Sequence, residues 1–234
     1  MTPCLYLAVT PCPEADNIPA LADRIAETLS PCEENKAYVS ALCRGPARVS
    51  AQRLGALSLL LSLMGQADIP TSRIVLHRDE NGRPFALLRD SDLQFDFNLT
   101  HTEHAVGCVL WTGDRRVGID MEGAPDALRI KKICDRYFSD AERALIPHTD
   151  DADAFLRIWT AKEAIAKQNG HGNPTVFDAT AVPDGYRLAY GRVAFAETLI
   201  CLCVPAEAEI PTVYGVERGA RYLHVGVFFR TVGV

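Results

Sequence analysis

Two acids, Asp120 and Glu122, stand two positions apart in the run VGIDME at residues 117 to 122, among apolar neighbours. Alternate side chains of an extended strand share a face. Val117, Ile119 and Met121 therefore point one way and Gly118, Asp120 and Glu122 the other, with the carboxylates about 7 Å apart. Like charges that close repel unless a cation lies between them. A hard divalent cation such as Mg²⁺ meets that need with a few carboxylates, water and phosphate oxygens. A solvated strand face with two ordinary acids is the simpler alternative.

A third carboxylate lies in WTAKEAIAK, where Trp159, Glu163 and Lys167 follow at spacings of four and share one helix face. That face is expected to differ from the core face made by Phe155, Ile158, Ala161 and Ile165. Alone, Glu163 and Lys167 could be an exposed pair worth roughly 0.2–0.5 kcal/mol. With Asp120 and Glu122 they would complete a site for Mg²⁺ and a phosphate, Lys167 acting as a point charge. NLTH at 98 to 101 offers the Thr100 hydroxyl and His101 at a strand end, and GRP at 82 to 84 offers Arg83 held out by a turn. Both suit phosphate oxygens; a solvated histidine and an exposed turn arginine are the alternatives. Zinc finds no support, because His101 and His104 have no cysteine spacing to complete a site. The chain also lacks the phosphate-cradle, dinucleotide and nucleophile-elbow signatures.

The elements that must position these residues follow from periodicity. Residues 20 to 30 read as an amphipathic helix, and ARVSAQRLGALSLLLSLMG as a longer one ending near Gly65, with Arg44, Arg48 and Arg53 near its start. TSRIVLHRDENGRPFALL reads as a hairpin turning at Asn81-Gly82, and DLQFDFNLTH as an alternating strand. AVGCVLW and GDRRVGIDME read as a second hairpin turning near Gly113 and Asp114. DALRIKKICDRYF and SDAERALI are helical, the latter capped by Ser139 with Glu142 three residues on. DADAFLRIWTAKEAIAKQNG is the clearest helix, and from Thr175 onward the chain reads as antiparallel strands. The boundary between halves is expected at 111 to 116.

At 234 residues, with 48% hydrophobic and 23% charged residues, the chain can bury a working core without staples. A net charge of -6 gives no support to nucleic-acid binding. Eight cysteines form no C-x-x-C pair, so free buried thiols are expected. The start MTPCLYLAVTPCPEAD lacks a basic segment and its apolar run is too short for a secretory signal, while LGALSLLLSLMG is too short to span a bilayer. No membrane association and a cytoplasmic location are the expectations.

GRP, FNLTH, VGIDME, FSDAE and WTAKEAIAKQNGHG occur in the order and at about the spacing seen in 4'-phosphopantetheinyl transferases of the surfactin-synthetase-activating type, which the chain resembles from about Arg53 to Gly172. The resemblance implies an α+β fold of two pseudo-symmetric subdomains, residues 1–112 and 113–234. Each would be a small antiparallel sheet packed on a long helix, with a ligand cleft between them and the metal site in the second. It also implies transfer of the phosphopantetheine arm of coenzyme A to a serine of an apo acyl or peptidyl carrier protein, releasing 3',5'-ADP, by a monomer. Carried over by motif, Asp120, Glu122 and Glu163 are the implied Mg²⁺ ligands, with Glu163 and Lys167 catalytic. Arg83, Thr100 and His101, with Arg53 and more loosely Arg48, are the implied contacts to coenzyme A. Thr100 stands where the family usually has serine. Glu142 is a second acid that could deprotonate the serine, and Trp159 is read as packing. Arg129, Lys131, Lys132 and Arg136, the densest basic stretch, are expected to help dock an acidic carrier; a solvated helix face is the alternative. A metal-dependent nuclease or phosphohydrolase also uses clustered acids, but NLTH and the helix motif speak against it. A non-catalytic coenzyme A- or carrier-binding module is the remaining reading.

Overall fold

The computed structural model describes residues 2–146, 148, 151–170, 181–210 and 227–230. In chain order the elements are β1 (Leu5–Pro11), α1 (Ile18–Thr28), α2 (Glu33–Leu42), α3 (Ala47–Gln66), β2 (Ile74–Arg78), β3 (Pro84–Leu88), β4 (Asp96–His101), β5 (Ala105–Trp111) and β6 (Gly118–Gly123). There follow α4 (Ala127–Tyr137), α5 (Asp140–Ala144), α6 (Ala152–Asn169), β7 (Tyr186–Val193), β8 (Thr198–Pro205) and β9 (Val227–Arg230). The strand pairings are antiparallel throughout the described residues, so the α+β expectation is borne out. Among them no helix is long and apolar enough to cross a membrane.

Two sheets carry the fold, β1-β5-β4 and β6-β8-β7-β9, with β2 and β3 as a separate hairpin. The leucines that crowd α3, among them Leu54, Leu57 and Leu60, bury against Phe97, Val106 and Cys108 of the first sheet. On the other face of that sheet Leu7, Val9 and Val109 meet Val117, Ile119, Ile200 and Leu202 of the second. The far face of the second sheet packs Cys201 and Cys203 on Ala161, Ala164 and Ile165 of α6. Strand alternation allows this double use, since β6 and β8 each serve both layers. α6 is a helix with cover on most sides, Thr160, Lys162 and Gln168 being buried along with its apolar residues. It starts at Asp151, whose side chain accepts from the Ala154 N–H, and stops at Gly170 in the left-handed region (φ 81°).

Several expectations need correction. β5 and β6 do not form a hairpin: β5 already has β1 and β4 on its two edges, and β6 pairs with β8 instead. Between Trp111 and Gly118 the chain therefore passes from one sheet to the other. β1 and α2 were not foreseen; the former lies in a stretch read only for targeting signals. Trp159 is in the core, stacked near Phe138 and Phe155, whereas Ile158 is only half-buried. Of the eight cysteines, all free, Cys4 and Cys43 are exposed rather than buried. The tail of the helix motif, His171-Gly172, and much of the segment from Thr175 onward lie outside the described residues.

Candidate active site

Gly118 explains how α6 reaches the acids of β6. A Cβ there would stand 1.9 Å from the Ala164 carbonyl oxygen and 2.9 Å from the Gln168 nitrogen, so only glycine lets the helix backbone lie directly on the strand. That approach sets Asp120 and Glu122, on the same face as Gly118, beside Glu163 and Lys167. Lys167 Nζ donates to Asp120 Oδ1 at 2.7 Å and to the Ile119 carbonyl at 3.2 Å. The other oxygen of Asp120 is buried and has no hydrogen-bond partner among the described residues.

The three carboxylates raise one another's proton affinity. Burial pushes the Asp120 carboxyl above its ordinary range, with the Lys167 charge opposing. Burial and then the charge of Asp120 raise Glu122, while Arg129, 3.5 Å away, pulls it back. Glu163 is pushed up to about 7 by burial and by Asp120 and Glu122, against the pull of Lys167. An orphaned carboxylate oxygen with two further carboxylates around it fits a hard divalent cation in kind. In this arrangement Lys167 sits on Asp120, and among the described residues no three His, Cys, Asp or Glu side chains form a metal-holding group.

Lys167 also lines a cavity of about 320 Å³ between α3, the β2-β3 hairpin and β4. Arg53, Arg78, Arg83 and His101 line it too, and no carboxylate does among the described residues. Its floor is apolar, from Leu42, Ala56, Leu57 and Leu99, with Tyr38 at one side. Five cationic or imidazole groups without an acid, in a chain of net charge -6, make a strong local field for a phosphorylated ligand. Sequence reasoning missed Tyr38 and Arg78, which are coupled by a cation–π contact of 5.3 Å. No motif marks either residue.

Arg83 departs from the expected exposed position. It is buried, and its guanidinium donates to Asp96 Oδ2 at 2.6 Å, to the Val117 carbonyl at 3.1 Å and to the Phe97 carbonyl at 3.2 Å. Its Nε reaches the Lys167 carbonyl at 3.3 Å. Arg83 thus ties the hairpin to β4, β6 and α6, and borders the cavity rather than projecting into solvent. Thr100 is buried and accepts from the Met121 N–H at 3.2 Å, beside Asp120.

His101 is exposed at the end of β4, where surrounding protein and the charges of Lys167 and Arg53 hold its imidazole below the usual range. It also borders a second cavity, of about 540 Å³, with Arg48, Gln52, Glu122 and Arg129 on its walls. Arg48 is exposed there and paired with Glu103 at 2.9 Å.

Glu142 is not a free acid near this cluster. Both its oxygens lie 2.8 Å from Lys162 Nζ, with both residues essentially without solvent exposure, and one also accepts from the Ser139 N–H. The basic residues of α4 are exposed, with Lys131 paired to Asp135 at 2.7 Å and Arg136 over the Tyr137 ring. Leu128 stands 62% exposed beside them.

Comparison with known proteins agrees with the motifs. Residues 116–192 match the family model described as the 4'-phosphopantetheinyl transferase superfamily. The chain is 29% identical over 122 residues to 4'-phosphopantetheinyl transferase gsp of Aneurinibacillus migulanus, covering 51% of this chain and 48% of the relative. It is 27% identical over 113 residues to 4'-phosphopantetheinyl transferase HetI of Nostoc sp., covering 47% of each. The chain spans about half the length of the curated relatives it matches.

Proposed function

We propose, from the match of residues 116–192 to the 4'-phosphopantetheinyl transferase superfamily, that the chain moves the 4'-phosphopantetheine arm of coenzyme A to a serine of an apo acyl or peptidyl carrier protein. One observation carries this reading: Lys167 belongs at once to the acid-free cationic cavity and to the carboxylate cluster. A ligand with several phosphates would lie in the first and be cleaved beside the second. The reading takes residues 1–112 and 113–234 as two subdomains, with Arg53, Arg83 and His101 facing Lys167 across the cavity, and a cytoplasmic monomer as the working unit.

In this reaction the serine oxygen attacks the β-phosphorus of coenzyme A, the bond to 3',5'-ADP breaks, and the serine proton must leave. Asp120, Glu122 and Glu163 would hold Mg²⁺, which when bound supplies positive charge to the pyrophosphate oxygens. Lys167 adds a fixed charge where negative charge grows on the phosphate. Glu163 takes the serine proton, a contribution of typically ~10²–10⁴-fold in rate. Its neighbours favour that role over Glu142, which is held by Lys162. His101 and Arg53 meet the 3'-phosphate, with Thr100 and Arg83 bordering the ligand and Arg48 reached from the second cavity. Arg129, Lys131, Lys132 and Arg136 dock the acidic carrier, with Leu128 as an apolar contact.

The test is intact-protein mass spectrometry of apo acyl and apo peptidyl carrier proteins incubated with this chain, coenzyme A and Mg²⁺. The expected result is gain of one phosphopantetheine, abolished by chelation and by Glu163→Ala. Coenzyme A binding without transfer to either carrier would favour a binding module.

A further inference from the structure

The outer edge of β6 faces β4, yet the two strands share no backbone ladder. Side chains satisfy it instead. The Val117 N–H donates to Asp96 Oδ2 at 2.7 Å, Ile119 N–H to Asn98 Oδ1 at 3.2 Å, and Met121 N–H to Thr100 Oγ1 at 3.2 Å. On the same edge the Val117 carbonyl accepts from Arg83 at 3.1 Å and the Ile119 carbonyl from Lys167 at 3.2 Å. Asp96, Asn98 and Thr100 stand two apart, so one face of β4 presents an acceptor to every second N–H of its neighbour. An open edge left to water would neither be protected nor be fixed in register.

We infer that Asp96, Asn98 and Thr100 are positioning residues: they replace a missing strand along β6 and hold Asp120 and Glu122 in register against Glu163 and Lys167. Asp120 lies between the rungs at Ile119 and Met121, so a shift of β6 by one residue would turn its carboxylate to the opposite face. Arg83 extends the device by binding Asp96 and the Val117 carbonyl together. Asn98 is the middle rung and, being uncharged and 4% exposed, the cleanest to remove.

The inference rests on the proposed transfer reaction for its kinetic readout, and on hydrogen exchange for a readout independent of it. Asn98→Ala is compared with Leu60→Ala, a core change in α3 remote from the carboxylates, under conditions where both are fully folded. Expected in Asn98→Ala is amide exchange over residues 117–121 faster by at least about tenfold than in Leu60→Ala. Turnover should fall by about 10- to 100-fold, with KM for coenzyme A changed by less than about threefold. Asn98→Asp, which keeps an acceptor oxygen, should recover most of the turnover. Should Asn98→Ala fail to fold, Asn98→Ser, with a shorter hydroxyl, carries the same comparison.

Exchange over 117–121 no faster than in Leu60→Ala, or turnover per folded molecule equal to that of Leu60→Ala, overturns the inference. If the unmodified chain transfers nothing, the proposed function fails while the exchange rates still decide the ladder.

Discussion

Lys167 Nζ bonds Asp120 Oδ1 at 2.7 Å while its own backbone carbonyl accepts from Arg83 at 3.3 Å. The lysine on α6 is thus fixed at both ends, to the strand that carries the acids and to the arginine that ties the hairpin in. Lys167→Ala should lower turnover by about 10²–10³ if its charge serves the transition state. It should also cost stability, because it strands Asp120. Since Lys167 is 28% exposed, solvent screening reduces that cost to about 1–2 kcal/mol. Adding Asp120→Asn should restore the urea midpoint and leave turnover low. A Lys167→Ala protein with near-normal turnover would remove the proposed role.

Gly118 admits the α6 backbone, and Gly118→Ala places a methyl carbon 1.9 Å from the Ala164 oxygen. Neither partner can rotate away, since both are backbone. The expected loss is about 3 kcal/mol, the upper end of ordinary overpacking, read from urea denaturation. An unchanged midpoint would mean that β6 and α6 can separate without cost.

His101 gives a pH dependence with a definite sign. Its folded pKa lies below the ordinary value, so as pH falls through about 6.5 the unfolded chain takes up a proton first. This group's contribution to stability is therefore full above that pH and declines below it, until the folded imidazole protonates too. A bound 3'-phosphate should reverse the local balance and draw a proton onto His101. Calorimetry in buffers of different ionisation heat should show proton uptake with coenzyme A near about pH 7, less with 3'-dephospho-coenzyme A, and none attributable to this site in His101→Ala. Equal uptake by both ligands would separate His101 from the 3'-phosphate.

Charge reversal on α4, Lys131→Glu with Lys132→Glu, should raise KM for an acidic carrier by about tenfold at low salt and by little at about 0.5 M salt, leaving kcat unchanged. Both residues are exposed, and Lys131 is paired only with Asp135 at the surface. A KM that does not respond at low salt would assign these charges to solvation.

Removal of the metal should abolish transfer, and Asp120→Ala should raise the Mg²⁺ concentration needed for half-maximal rate or eliminate the rate. A titration identical to that of the unmodified chain would count against Asp120 as a ligand.

Sequence alone determined what is local. The caps at Ser139 and Asp151, the stop at Gly170, the hairpin turning at Asn81-Gly82 and the opposite facing of Ile119 and Asp120 all follow from periodicity and turn chemistry within a few residues. The two acids of VGIDME, Glu163 and Lys167 could likewise be singled out by type and spacing. Tertiary structure decided who meets whom. Alternation fixes the face of β6 but not its neighbour, and its partner β8 lies about 80 residues on, beyond any local pattern. Arg83 reads as an exposed turn residue until β4, β6 and α6 close over it and supply an acid and three carbonyl groups. Trp159 joins the core because Phe138 and Phe155 arrive beside it. The ladder of Asp96, Asn98 and Thr100 is visible in the sequence as three polar residues at period two, but only the approach of an unpaired strand edge gives them acceptors' work. Long-range burial makes each of these choices, and one chain's local preferences do not contain it.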